Sequence, residues 1–249
     1  MPMQIKILII GLLAGLGGGL FSLGGGTLTI PLMLSWLHLS EFEARGTALA
    51  AAFFPALFGT FLYAQAAQVD WLAVVLVAVP ALIVTPFVGL WSEHFSSLRL
   101  RRIFSVVIIT GALFLLLREQ FLGDWKLTGS MRIGYLIGVG VIEGLVAGSV
   151  GVSGGPVLAP LLVLGLGMPQ QMAQGCSLAA RIPAVVAGSL ENFRHGHVRL
   201  ALLPGLISGG LLGAWLGSRL ALSLPELHLR SLFAVLLLII GFRYLLSRK

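Results

Sequence analysis

Two glycine-rich interruptions carry most of the chemistry this sequence offers. Ser22-Leu23-Gly24-Gly25-Gly26-Thr27 and Gly151-Val152-Ser153-Gly154-Gly155-Pro156 break apolar runs at equivalent places. Consecutive glycines open a helix and bare its backbone, which a membrane tolerates only where the freed groups face protein or a wet cavity. Each break is followed by about 11 apolar residues. The first amides of such a short helix are unpaired and lie at its positive end, a setting that suits an anion. Pro156 fits the first helical position, where no N–H is needed. The candidate anion contacts are therefore Gly24, Gly25, Gly26 and Thr27 in the first break and Ser153, Gly154 and Gly155 in the second. The alternative is that these glycines serve only close helix packing.

Two charges lie deep in apolar segments. Glu143 falls about ten residues into the segment 133–152 and Arg181 about ten into 172–192, so both are expected near the bilayer centre, where a charge is costly and is paired or functional. Arg181 is a candidate anion ligand. Glu143 is a candidate for holding Arg181 or for carrying a proton; a purely structural ion pair is the other reading. Thr47 and Cys176, with Ser177, follow Gly46 and Gly175 near the start of two further segments. Small polar groups there can bind an anion or cap a helix. His195 and His197 sit in a short polar turn without a carboxylate cluster, so no metal site and no cofactor is expected.

The elements that position these residues follow from composition. The chain has 249 residues, 57% apolar and only 10% charged, with 33 glycines. A soluble domain carries roughly 25% charged residues. A water-soluble globule is excluded, and an all-α polytopic membrane protein in a lipid bilayer is indicated. The net charge of +7 comes from 16 scattered cations. That pattern sets orientation in a membrane and does not track phosphates, so no nucleic acid is expected. One cysteine excludes an intramolecular disulfide.

Sliding the chain by 129 residues superposes Gly15-Leu16 on Gly144-Leu145, Gly25-Gly26 on Gly154-Gly155, Pro31-Leu32 on Pro160-Leu161, Gly46 on Gly175 and Gly59 on Gly188. This reads as a first transmembrane repeat over 1–117, a linker over 118–132 and a second repeat over 133–249. Each repeat is expected to hold about four spanning helices plus a glycine-initiated half-helix. If the half-helix returns the chain to its starting side, each repeat makes an odd number of passages and the two are inverted. Inversion puts ten Arg and Lys on the cytoplasmic side against five outside, and parallel repeats nine against six. The positive-inside bias thus favours inversion, with both termini cytoplasmic. Gly205, Gly209, Gly213 and Gly217 recur every four residues and read as a packing seam, which could also serve a homodimer.

Gly24-Gly25-Gly26 before Ile30-Pro31-Leu32, the Ala44-Arg45-Gly46-Thr47-Ala48 start of the next span, and their recurrence as Ser153-Gly154-Gly155 before Ala159-Pro160-Leu161 and as Gly175-Cys176-Ser177 resemble the sulfite exporter TauE/SafE family. The resemblance covers nearly the whole chain. It implies a permease of the cell inner membrane that exports sulfite, sulfoacetate or another small anion by alternating access. Ser153 stands where the family tends to have a glycine. The competing readings are a cation or metal permease, for which Glu143 and Cys176 are too few ligands, and an intramembrane enzyme acting on a lipid phosphate. The enzyme would have to draw its acid, base and nucleophile from Glu143, Arg181, Cys176 and Ser177. No catalytic residue is assigned.

Overall fold

The computed structural model describes residues 2–23, 25–92, 97–118, 127–150 and 155–246. Gly24, Ser153, Gly154 and most of the 118–132 linker fall outside these. The described residues form ten α-helices and no strand: α1 (Met3–Phe21), α2 (Gly25–Trp36), α3 (Glu41–Gln65), α4 (Trp71–Ser92), α5 (Ser97–Leu116), α6 (Gly129–Val150), α7 (Gly155–Leu166), α8 (Gln170–Arg194), α9 (Leu203–Ser223) and α10 (Glu226–Leu246). The 129-residue shift carries α3 onto α8 end for end and the other four helices onto their mates within about three residues. The repeat read from glycines and prolines is therefore a repeat of structure.

Helix α3 begins at Glu41, five residues before the apolar run at 46. Ser40 caps it: the Glu43 amide donates to the Ser40 hydroxyl, and the Ser40 amide donates to the Glu43 carboxylate. This reciprocal capping box lets a charged first turn be helical. Among the described residues six helices, α1, α3, α4, α6, α9 and α10, are long and apolar enough to cross a membrane. The sequence pattern alone points to eight. Helix α8, with 25 residues, is long enough to cross but carries Gln170, Gln171, Gln174, Arg181, Glu191 and Arg194. Its first half is buried in protein, where polar residues need not meet lipid. Helix α5 has 20 residues and opens on Arg99, Arg101 and Arg102.

The chain divides into two compact units, Met1–Val69 with Leu178–Ser223, and Asp70–Ser177 with Leu224–Lys249. Each mixes the two repeats. In the first, α1 packs on α9, and in the second α6, the mate of α1, packs on α4, the mate of α9. Glycines set both contacts. In the first unit a Cβ on Gly19 would lie 2.6 Å from the Ala214 carbonyl oxygen, and one on Gly217 would lie 2.5 Å from that of Leu16. Gly11 and Gly15 meet the backbone at Leu206 and Gly210 in the same way. Backbones that touch in this manner gain dispersion contact where lipid offers no hydrophobic drive. The Gly205 to Gly217 seam is thus filled by α1, and a homodimer would have to use another face. In the second unit the glycines lie on α6, where Gly140 and Gly144 abut Val77, Ala81 and Val84.

These contacts also fix direction. Going up α1, Gly11, Gly15 and Gly19 meet Leu206, Gly210 and Ala214 in order, so α1 and α9 are parallel. Helix α3 runs with them: Ile7 and Ile10 cluster with Ala44 and Ala48, and the Tyr63 hydroxyl donates to the Gly19 carbonyl at 2.8 Å. Helix α2 runs back, because Lys6 Nζ donates to the Trp36 carbonyl at 3.4 Å and Met33 joins the Ile7 cluster. The half-helix therefore returns the chain to the side where α1 began. In the second unit α7 does the same: the Tyr135 hydroxyl donates to the Leu161 carbonyl at 2.8 Å, and the Leu127 amide donates to that of Gly165 at 3.4 Å. A returning half-helix in each repeat gives each an odd number of passages, which makes the repeats inverted.

A side chain added along the α1–α9 contact must force two backbones apart. Gly15→Val or Gly213→Val is expected to destabilise the protein by about 1–3 kcal/mol or more, read as a lower midpoint of thermal unfolding in detergent. A Cβ on Gly18 meets nothing within 4 Å. Gly18→Ala is expected to unfold at or above the wild-type temperature, since alanine favours helix by about 1 kcal/mol over glycine.

Candidate functional site

Helix α1 ends at Phe21 because Ser22 turns left-handed, with φ 49° and ψ 28°. The turn sets up the break, and α2 begins three residues later at Gly25. Left-handed backbone costs an L-residue other than glycine about 1–2 kcal/mol, so the fold holds Ser22 there against a local preference. The Thr27 hydroxyl donates to the Leu23 carbonyl at 3.1 Å, spanning the break from its far side. Among the described residues, a Cβ on Gly26 would meet only Ile30 of its own helix, at 3.4 Å. Close packing with a neighbouring helix therefore does not account for Gly26.

Arg181 comes to this break from α8. Its guanidinium donates to the Ser22 carbonyl oxygen, and the residue is buried. The cation expected near the bilayer centre and the first glycine break thus belong to one place in the first unit. Along α1 toward this end, residues of α1, α2, α3, α8 and α9 line a partly open cavity of about 40 Å³, walled by small residues such as Gly15, Gly18, Ala52 and Ala56. That is room for roughly three water molecules.

Thr47 lies elsewhere. It stands 16 residues before Tyr63, which touches α1 near the break, and so about 24 Å away along α3. Its hydroxyl accepts the Arg199 amide at 3.0 Å. Cys176 does the equivalent in the second unit, where its sulfur accepts the Asp70 amide at 3.2 Å. Asp70 and Arg199 are themselves mates under the 129-residue shift. Each side chain is ion-paired within its own unit, Asp70 with Arg132 and Arg199 with Glu43. Asp70 also caps α4 by accepting the Ala73 amide at 3.1 Å. Of the two roles open to Thr47 and Cys176, capping describes the contacts they make.

In the second unit Gly155 opens α7 and is buried. Glu143 is buried beside Gly144, on the helix that abuts α4. Ser177 is buried next to Cys176. Glu143 and Arg181 belong to different compact units. Among the described residues no three His, Cys, Asp or Glu side chains stand close enough to hold a metal ion.

Sequence reasoning missed several buried polar residues. Ser22, Thr60 and Ser218 in the first unit, and Gln170 in the second, have buried side-chain atoms without a hydrogen-bond partner. One signal was available: Gly59-Thr60 recurs as Gly188-Ser189 at the same shift. Ser218 carries no such mark.

Helix, break and returning half-helix, made twice, with a guanidinium delivered to one break, define a polytopic membrane transporter of the inverted-repeat class. The sequence comparisons agree and make the class specific. The chain belongs to the sulfite exporter TauE/SafE family, whose model matches residues 2–115 and 136–249, one stretch in each half. It is 23% identical to a probable membrane transporter protein of Methanocaldococcus jannaschii, over 96% of this chain and 94% of the relative. It is 25% identical to the probable membrane transporter protein YunE of Bacillus subtilis, over 84% and 87%. A probable membrane transporter protein of Haemophilus influenzae is 23% identical, over 96% and 97%. No solved structure matches the chain.

If Thr47 is a cap, Thr47→Val is expected to cost about 1 kcal/mol of stability, seen as a lower unfolding midpoint that Thr47→Ser restores. Transport per folded molecule should stay within about twofold of wild type. A tenfold loss in folded Thr47→Val protein would make Thr47 a ligand instead.

Proposed function

We propose that this protein is an inner-membrane permease that moves a small anion, of the sulfite or organosulfonate kind, by alternating access, with both termini cytoplasmic. The observation that carries this reading is the arrival of Arg181 at the α1–α2 break. There the start of a half-helix and a guanidinium present positive charge to the same space, in a protein interior where charge is costly. The family name supports the substrate class, and the relatives' names support a carrier over an enzyme. Inverted repeats support alternating access, because two arrangements of equivalent parts open to opposite sides. Glu143, a buried carboxylate on the helix before the second break, is the residue to which this reading gives proton coupling.

Purified protein in phosphatidylethanolamine and phosphatidylglycerol vesicles, tested with labelled sulfite, sulfoacetate, sulfate and acetate, provides the test. Saturable movement of one anion is expected. Arg181→Met and Gly26→Leu, if folded, should each lower it at least tenfold. Glu143→Gln should abolish its response to a pH gradient. Movement of a divalent cation with no anion moving would overturn the proposal.

A further inference from the structure

At the end of α1 in the first unit, three carbonyls have partners and three nearby hydroxyls do not. The Gly17 carbonyl accepts from the Ser22 amide, that of Gly19 from the Tyr63 hydroxyl at 2.8 Å, and that of Ser22 from Arg181. A helix end normally leaves such carbonyls orphaned. By contrast the hydroxyl oxygens of Ser22, Thr60 and Ser218 are buried without any partner, on residues only 0%, 4% and 0% exposed. A buried hydroxyl left unsatisfied costs about 1–3 kcal/mol. Three on neighbouring helices call for a common cause.

They belong to segments that meet around Gly19. Ser218 Oγ lies 3.0 Å from where a Cβ on Gly19 would be and 3.5 Å from the equivalent point on Gly59. Thr60 follows Gly59, and both lie one turn before Tyr63, which reaches Gly19. Ser22 is three residues beyond Gly19, in the left-handed turn. Gly19 also lines the 40 Å³ cavity, as does Gly18, whose missing side chain leaves room that no neighbour fills.

We infer that the hydroxyls of Ser22, Thr60 and Ser218, together with Arg181, form an oxyanion-binding site at the end of α1. This rests on the permease reading above and names the ligands of its substrate. The guanidinium sets the sign of the guest. Arg181 is a buried cation at this end of α1, and each of the three hydroxyls can donate to an anion held beside it. The left-handed Ser22 fits the same purpose, since a glycine would make the turn at lower cost but bring no hydroxyl.

The experiment measures equilibrium binding of labelled sulfite to the purified full chain, with flux in the same vesicles. Ser22→Gly keeps the turn and removes the hydroxyl; Thr60→Val and Ser218→Ala remove the others. Each is expected to raise the sulfite Kd about tenfold to a hundredfold, the worth of a hydrogen bond to a charged group. Thr60→Ser and Thr47→Val should stay within about twofold of wild type. Sulfate should compete with sulfite. Unchanged Kd in the three folded hydroxyl variants, with wild type binding sulfite, would overturn the site and leave the permease reading standing. A sodium dependence of transport that these variants alter, with sulfite affinity unchanged, would overturn it in favour of a cation. Wild-type protein that neither binds nor moves any anion would overturn the permease reading itself.

Discussion

Helices in lipid gain nothing from hiding apolar side chains from water, because lipid is as apolar as leucine. What holds α1 to α9 is contact between backbones, and only glycine allows it. Gly11, Gly15 and Gly19 on one helix face Gly209, Gly213 and Gly217 on the other, each set pressed on the main chain opposite. Some bulky residues of both helices turn outward, as Leu13 and Leu212 do, while Ile7, Ile10 and Leu206 are buried. Everything else in the first unit is hung on this pair. Helix α3 packs on α9 through Pro55 against Gly210, and α2 folds back along α1 from the break.

A rigid α1 matters because the chemistry sits at its end. A half-helix that began after a flexible joint would carry its amides over a wide arc and hold no ion in a fixed place. Here the last turn of α1 is clamped by Ala214 and Ser218 on one side and by the Tyr63 hydroxyl on another, so Ser22 can be kept in an unfavourable backbone conformation. Strain of about 1–2 kcal/mol persists only when the surroundings over-determine a residue. Arg181 depends on the same clamp: a guanidinium in this interior needs acceptors at a set position, and the Ser22 carbonyl is one.

Much of this is legible in the sequence, and what is legible is periodic or duplicated. The repeat, the helices described in each half, the two short ones and the seam on α9 all follow from glycine and proline recurring at fixed spacing. The ladder on α1 and α6 is equally present, as Gly11, Gly15, Gly19 and Gly140, Gly144, Gly148, but in the sequence it serves only as evidence of duplication. Apolarity misplaces the start of α3 because it marks where a helix enters lipid, whereas Ser40 and Glu43 mark where the helix begins. Apart from the recurrence of Gly59-Thr60 as Gly188-Ser189, nothing in the sequence marks Ser22, Thr60 and Ser218, since a lone hydroxyl in an apolar helix returns to its own backbone at no cost, as Thr85 does with Ala81. Only tertiary structure shows which hydroxyls have no such partner. Thr47 and Cys176 show the reverse: their recurrence suggests binding, yet duplication marks anything both repeats need, and both need a cap.

That distinction bears on where the two repeats diverge. Features shared by both are the scaffold: the glycine ladder, the returning half-helix, and the amide held by Thr47 or Cys176. The polar groups at the end of α1 are mostly unshared. Under the 129-residue shift Ser22 corresponds to Gly151, Ser218 to Gly89 and Arg181 to Ala52; only Thr60 keeps a hydroxyl mate, in Ser189. Inversion requires that the moving parts be equivalent, so that one arrangement can convert into its mirror across the membrane. It places no such demand on the ligands, because a single bound ion needs one set of donors. A chain under both constraints keeps its mechanics in duplicate and lets its recognition chemistry collect in one compact unit, with Ser22 and Thr60 from the first repeat and Arg181 and Ser218 from the second. Glu143, whose mate is Ala14, follows the same rule, as a charge added to the second copy of a helix whose glycines were left intact.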